Sequence, residues 1–466
     1  MPSPLRGGGV ERGIGYESGQ ARLHTLRIRL REDVAGGPAG CRGGAGNQRG
    51  ERHGQSKRQR SGGGTRAEAS EGGVAHGIDH SGSRGRHGAC SYPGRVSAPI
   101  KDFYAVIPAG GIGSRLWPLS RADAPKFLHD LTGSGHSLLR DTWDRLEPLS
   151  GSDRIAVVTG RAHRAAVEAE LPGIADLNVF LESEPRESAA AIGLAAAILH
   201  RREPEVIIGS FSADHVIRST RVFEFAVRDA VEVAREGYIC TIGISPTEPA
   251  IGFGYIKKGA ELVVDGAREA ALVESFVEKP DLETAKEYLA DRDYLWNAGM
   301  FIAKASVLLD ELAANEPELH AGLLELAEAW DDRERRGPAV DRIWPRLKKI
   351  AIDYAVAEPA ARRGRLAVVP GHFDWDDVGD FASLTKLINN GRKNDLAVLG
   401  PNARVLTDGA SGILVSQTSR VISLVGVQDI VVVDTPDALL VTTVEHAQRV
   451  KGVVESLKLT GRGDVL

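Results

Sequence analysis

An α/β fold with a mainly parallel sheet is the architecture this sequence predicts, on three observations. From Ile100 onward, short apolar runs alternate with longer segments of helical spacing, the pattern of βα units laid on a sheet. The first such run, Phe103 to Ile107, leads directly into a glycine-rich turn, Pro108-Ala-Gly-Gly-Ile-Gly-Ser-Arg115. A later run, Val206 to Phe211, ends in Ser212-Ala-Asp-His215. An acidic residue thus stands beyond the carboxyl end of a strand, where open parallel sheets bind ligands.

Residues 103–108 read as the first strand, apolar enough to be buried on both faces. Ser137 is placed to cap a helix carrying Leu138, Leu139, Trp143 and Leu146 at helical spacing. Ile155 to Val158 is a strand, 161–171 a helix stopped by Pro172, and Val179 to Leu181 a strand. An alanine-rich helix runs from near Ser188 to about Arg202, before the strand Val206–Phe211. Tyr238 to Gly243 follows, and Asp281 is placed to start a helix after Phe276-Val-Glu-Lys-Pro280. Helices are expected over 304–330 and about 339–350. From about Asn394, strand-like runs at 403–406, 412–415, 421–425 and 430–433 alternate with turn residues. They predict a small all-β unit closed by an amphipathic helix over 444–457. Trp296 and Phe301 are read as core residues.

The first hundred residues differ from the rest. They hold 24 of the 54 glycines and 16 Lys and Arg against 8 Asp and Glu, with few apolar side chains to offset chain entropy. A disordered extension is expected over 1–100, and the abrupt change near Ala98 points to an over-extended start, with Val96 as the true beginning. Residues 101–390 are expected to form the main domain and 391–466 the β unit. No apolar run approaches the roughly 20 residues that span a bilayer, so no membrane is expected as partner. Cys41, Cys90 and Cys240 are far apart, which favours a reducing, cytoplasmic setting over a disulfide framework. A net charge of −5 gives no sign of nucleic-acid binding.

In the first turn, Gly110, Gly111 and Gly113 let the backbone lie close to a ligand. Successive N–H groups there can cradle phosphate while Arg115 neutralises it; taken alone, the stretch is equally well a plain turn. A dinucleotide fingerprint is excluded, because Leu116 and Trp117 stand where its third glycine belongs, and no Gly-Lys-Ser/Thr closes a P-loop. By position alone Asp214 is either a turn residue or a ligand-binding one. Glu278 and Lys279 read as an ordinary exposed pair, and Asp374, Asp376 and Asp377 as a solvated acidic turn.

In order, these stretches resemble the sugar-1-phosphate nucleotidyltransferases. Gly110-Gly-Ile-Gly-Ser-Arg-Leu116 followed by Pro125-Lys126 matches the family signature, and Arg115-Leu-Trp-Pro-Leu-Ser-Arg121 is similar to its mannose-1-phosphate guanylyltransferase branch. Gly252-Phe-Gly-Tyr-Ile256, Glu278-Lys-Pro280, Trp296-Asn-Ala-Gly-Met-Phe301 and Trp375-Asp-Asp-Val-Gly379 follow in the family's order. The resemblance covers about 103–457. It implies a Rossmann-like catalytic domain with a mixed sheet, and a partial left-handed β-helix that aids subunit contacts in a homodimer or higher homo-oligomer. The longer relatives continue into an isomerase domain, for which no room is expected after Leu466.

The implied reaction joins GTP and mannose 1-phosphate into GDP-mannose and pyrophosphate. Ala109, Gly110, Gly111, Gly113, Ser114 and Arg115 would hold the triphosphate, with Lys126 near the α-phosphate. Gly254, Glu278, Lys279 and Asn297 would hold the sugar phosphate. Asp214 and Asp377 would bind Mg²⁺, while Asp374 and Asp376 fall off the motif. Three departures stand out: no glutamine after Lys126, Phe253 for a tyrosine, and a loose match over Glu182–Ala191, where the nucleotide is expected. Two alternatives stay open: a thymidylyl- or uridylyltransferase for glucose 1-phosphate, and a non-catalytic regulatory subunit.

Overall fold

The computed structural model describes residues 98–466 except Lys393 and Asn402; the glycine-rich extension, Cys41 and Cys90 lie outside the described residues. Along the chain come β1 (Phe103–Ala109), α1 (Leu138–Ser150), β2 (Ile155–Gly160), α2 (Arg164–Glu170), β3 (Val179–Glu182), α3 (Glu187–Arg202) and β4 (Ile207–Ser210). Next are β5 (Val216–Ile217), α4 (Thr220–Arg235), β6 (Ile239–Ile244), β7 (Gly254–Glu261), β8 (Ala271–Glu278), α5 (Leu282–Ala290) and β9 (Tyr294–Lys304). Then follow α6 (Ala305–Asn315), α7 (Pro317–Trp330), α8 (Arg333–Ile343), α9 (Glu358–Arg362), β10 (Leu366–Gly371), β11 (Trp375–Asp376) and α10 (Phe381–Ile388). Strands β12 (Leu396–Leu399), β13 (Arg404–Asp408), β14 (Gly412–Ser416), β15 (Val421–Val425), β16 (Ile430–Asp434) and β17 (Leu439–Thr443) precede α11 (Val450–Leu459).

Nine strands form one sheet in the order β3-β2-β1-β4-β9-β6-β10-β8-β7. The first four are parallel to one another, and β9 enters antiparallel between β4 and β6. Apolar clusters cover both faces, one built on α3, α6 and α7, the other on α1 and α4. Ser137 and Asp281 cap α1 and α5 as expected, accepting from Arg140 N and Thr284 N. Trp296 and Phe301 are buried, as read from sequence.

Several boundaries move. The helices expected over 304–330 are two, α6 and α7, divided where Pro317 lacks an N–H to extend a helix and suits the first turn of a new one. The helix expected at 339–350 is α8. It starts earlier, where Asp332 caps the backbone of Glu334 and Arg335, and it gives way at Trp344-Pro345 to a 3₁₀ turn. Its polar first turn shows no apolar period, which hid the start. The segments at 161 and 444 begin as 3₁₀ turns before becoming α2 and α11. Helices α4 and α10 and strands β12 and β17 go beyond the sequence reading.

In the C-terminal unit β12, β14 and β16 stack parallel in one sheet and β13 and β15 in another, the chain alternating between them. This is a short β-helix-like coil, closed by β17 running antiparallel to β16. The coil is tight: Gly412 has φ +119, and a Cβ there would lie 2.0 Å from Ile430 O. One face of the coil shares an apolar cluster with Leu116, Trp117 and Leu119 of the glycine turn and with Val378 and Phe381. The indole of Trp117 donates to Val465 O at 2.7 Å. Arg121 donates to Val465 O at 2.5 Å and to both Asp437 oxygens at 2.8 and 3.2 Å. The Trp-Pro-Leu-Ser-Arg run therefore serves as a seat for the C-terminal unit. Arg121→Ala is expected to lower stability by about 1–3 kcal/mol, checked by urea denaturation; an unchanged midpoint would refute the seat.

Candidate active site

The carboxyl ends of β1, β3 and β4 surround a cavity of about 390 Å³, lined by Ala109, Gly110, Gly111, Glu182, Arg186 and Asp214 among others. Gly113 turns the chain at φ +76, and its Cα faces Lys126 so closely that a Cβ would lie 2.6 Å from Lys126 Cβ. Ser120 Oγ donates to Gly113 O at 2.5 Å, fixing that turn from the other side. Arg115 lies exposed on the following 3₁₀ turn, Ser114–Leu116.

Lys126 is buried and joins the two residues expected to hold the metal. Its Nζ donates to Asp214 Oδ2 at 2.8 Å and to the backbone oxygen of Asp377. Strands β5 and β11 bring those two segments together, pairing Val216 with Asp376 and Ile217 with Trp375. Burial raises the Asp214 carboxyl, but Lys126 overrides it and holds the group below the usual carboxylate range. Asp377 is pushed up to about 6 by burial, with the charges of Asp376 and Asp214 adding to it and Lys126 opposing. Val378, next in the chain, holds φ +46 although β-branched and fully buried, a strained setting. Asp376 keeps it there by accepting from Val378 N at 2.7 Å. The off-motif Asp376 is thus a brace for the Asp377 turn.

The sugar-side residues gather separately. Gly254 pairs with Glu278 across β7 and β8, and a Cβ at Gly254 would lie 2.5 Å from Glu278 Oε2. Lys279, at φ +53, donates to Glu278 Oε1 at 2.5 Å. Asn297 is locked: its Oδ1 accepts from Thr241 Oγ1 at 2.8 Å and Gly299 N at 3.1 Å, and its Nδ2 donates to Asp353 Oδ1 at 3.0 Å. The amide of Asn297 thus holds Asp353, whose carboxyl burial pushes up to about 6, with Glu278 adding to the rise.

Aromatic rings bridge the two groups. Phe253 stands edge-on to Trp296 and Trp375 at 5.2 and 5.1 Å, and Trp375 edge-on to His215 at 5.4 Å. Trp375 Nε1 donates to His215 Nδ1 at 3.3 Å, which requires a neutral ring; burial pushes His215 down to about 4. Phe253 sits half-buried between the Trp296 and Trp375 rings.

Glu182 and Asp353 were missed as site residues by sequence reasoning. Glu182 ends β3, 5% exposed, and a Cβ on Gly110 would lie 3.4 Å from its Oε2. Burial alone pushes its carboxyl up to about 7. Among the described residues no donor hydrogen-bonds this carboxyl. An acidic residue closing an apolar strand beside the glycine turn was the available signal for it.

The Nucleotidyl transferase family model matches residues 104–394, and the MannoseP isomerase/GMP-like beta-helix domain model matches 403–457. The Xanthan biosynthesis protein XanB of Xanthomonas campestris pv. campestris (strain B100) is 37% identical over 380 residues, 78% of this chain and 75% of that protein. A mannose-1-phosphate guanylyltransferase of Escherichia coli is 37% identical over 361 residues, 77% of this chain and 74% of the relative. A crystal structure described as mannose-1-phosphate geranyltransferase from Thermus thermophilus superposes with a TM-score of 0.66 at 31% identity, over 77% of this chain and 99% of that one. With the β1 glycine turn, the Lys126–Asp214 pair and the coiled C-terminal unit in one chain, the protein is an enzyme of the nucleotidyl transferase family and belongs to its mannose-1-phosphate guanylyltransferase branch.

Proposed function

We propose that the protein transfers GMP from GTP to α-D-mannose 1-phosphate, giving GDP-mannose and pyrophosphate. The observation that carries the guanine part is Glu182, a buried carboxyl without a donor among the described residues, in the cavity beside the glycine turn. Guanine offers two adjacent donors, N1–H and the 2-amino group, which an ionised carboxylate accepts as a pair. Uracil, thymine and adenine each set an acceptor beside their donor, and a carboxylate repels it.

In the reaction a phosphate oxygen of mannose 1-phosphate forms a bond to the α-phosphorus of GTP. The bond from that phosphorus to the bridging oxygen breaks, and pyrophosphate leaves with the electron pair. The nucleophile is already anionic, so no general base is required; alignment and charge neutralisation remain. The N–H groups of the Gly110–Ser114 turn and Arg115 would hold the triphosphate. Lys126 would lie at the α-phosphate, and Lys279 and Glu278 would orient the sugar phosphate and hydroxyls, with Asn297 acting through Asp353. Asp214 and Asp377 fit Mg²⁺, a hard ion that takes one or two carboxylates and completes its shell with water and phosphate oxygens; the Asp377 carboxyl, raised chiefly by burial and further by the charges of Asp376 and Asp214, is one a cation would relieve. When bound, the ion would neutralise charge on the reacting phosphates.

Pyrophosphate release with Mg²⁺, using GTP, UTP, dTTP or ATP against mannose 1-phosphate or glucose 1-phosphate, tests this reading. Turnover confined to GTP with mannose 1-phosphate supports it; turnover with another pair, or with none, rejects it. Glu182→Gln is expected to cut kcat/KM for GTP by about 1–3 kcal/mol and to erase the preference for GTP over ITP, which lacks the 2-amino group. Binding selects the ionised carboxylate, so the KM for GTP should rise roughly tenfold as pH falls from 8 to 6, through the group's value of about 7. If Glu182→Gln keeps that added rise, Glu182 is not its source.

A further inference from the structure

A second cavity, of about 400 Å³, lies at the β3 edge of the sheet, lined by Arg161, Arg164, Arg333, Arg336, Asp176 and Trp330 among others. Four guanidiniums face one carboxylate. From the rim, Asp341 pairs with Arg161 at 2.5 Å and Glu168 with Arg164 at 2.8 Å, while Asp176 is shared by Arg164 at 2.5 Å and Arg333 at 3.3 Å. Arg336 Nε donates to Trp330 O at 2.7 Å, and its guanidinium stands 5.5 Å from the Trp330 ring centre.

Two polar atoms are left over. Arg336 Nη2 and Trp330 Nε1 are buried and have no acceptor among the described residues, and Trp330 is 0% exposed. Both are donors. Surface ion networks are common and ordinarily satisfied by their own carboxylates; here the unused capacity is all of one kind. Neither atom is reached by solvent, so a ligand in the cavity would meet instead the guanidiniums of Arg161, Arg164, Arg333 and Arg336, and a phosphate group brings the negative charge and the several acceptor oxygens that match them.

We propose that this cavity is a second anion site, binding a phosphate group either free or as a monoester, and that its occupancy alters nucleotide binding. The link is short. Leu181 lines this cavity and the next residue, Glu182, lines the nucleotide cavity. Helix α8, which carries Arg333 and Arg336, continues into Trp344-Pro345. There Trp344 Nε1 donates to Glu184 O at 2.7 Å, and Pro345 O accepts from Arg186, which lines the nucleotide cavity. The coupling, though not the site, rests on the guanylyltransferase reading.

The test titrates inorganic phosphate into the full chain at constant ionic strength, following tryptophan fluorescence and, by chromatography of GDP-mannose, the KM for GTP. The double variant R333Q/R336Q lies outside the reacting groups and keeps basal turnover. In the wild type a saturable fluorescence change is expected, with a shift in KM of roughly fivefold or more; both should be lost in R333Q/R336Q, and the fluorescence change also in Trp330→Phe. Repeating the titration with glucose 6-phosphate distinguishes the sources: the stronger of the two is the form the site takes. No fluorescence change in the wild type, or an equal one in R333Q/R336Q, overturns the site, whereas a lost fluorescence change without a KM shift overturns the coupling. If the wild type makes no GDP-mannose, the functional reading fails while fluorescence still decides the site.

Discussion

Lys126→Ala is expected to lower kcat for GDP-mannose formation by about a hundredfold or more, with little residual activity recovered by raising GTP. The buried ammonium bonds Asp214 and the Asp377 carbonyl together, so its removal takes away both a charge for the α-phosphate and the tie between two chain segments. Asp214, now held low by Lys126, would lose that support, and Asp377 would lose the nearby cation opposing its rise. Loss of the ammonium leaves the site more attractive to cations, protons and Mg²⁺ alike, so the variant should need no more Mg²⁺ than the wild type. Steady-state rates over a Mg²⁺ series check both effects; an unchanged kcat would remove Lys126 from the reacting centre.

Gly113→Val is expected to destabilise the fold by about 2–4 kcal/mol and to abolish turnover, the sum of a left-handed backbone that side chains resist and overpacking against a fixed neighbour. The neighbour cannot give: Lys126 Cβ lies 2.6 Å from where the new Cβ would sit, and its Nζ is anchored at the far end. Thermal unfolding and the GDP-mannose assay read the two losses separately. A stable Gly113→Val enzyme with normal kcat would mean that the turn relaxes without moving Lys126.

Much of this was legible because local chemistry announces itself. Glycines after β1, apolar runs of strand length, and Ser137 and Asp281 as caps all act within a few residues, and each stands where expected. What stayed hidden depends on distant partners. The first turn of α8 is the exception: it is polar and exposed, so it shows no apolar period although Asp332 caps it. Strand β17 exists because β16 offers it an edge. Asp353 is drawn to the sugar side by Asn297, 56 residues earlier. Glu182 looks like any strand-end acid until the fold buries it in a cavity with no donor to it among the described residues. Trp117 and Arg121, informative as markers of the family branch, turn out to face the C-terminal unit rather than the nucleotide cavity.

That last arrangement sets a timetable. Trp117 meets Val465 across 348 positions of chain, so while the protein is being synthesised the glycine turn is made early and braced late. A ribosome-bound chain that has already folded its large sheet would still carry an unseated Trp117 and Arg121. The seat between the Trp117–Arg121 run and the C-terminal unit would then form only when the residues around Val465 emerge.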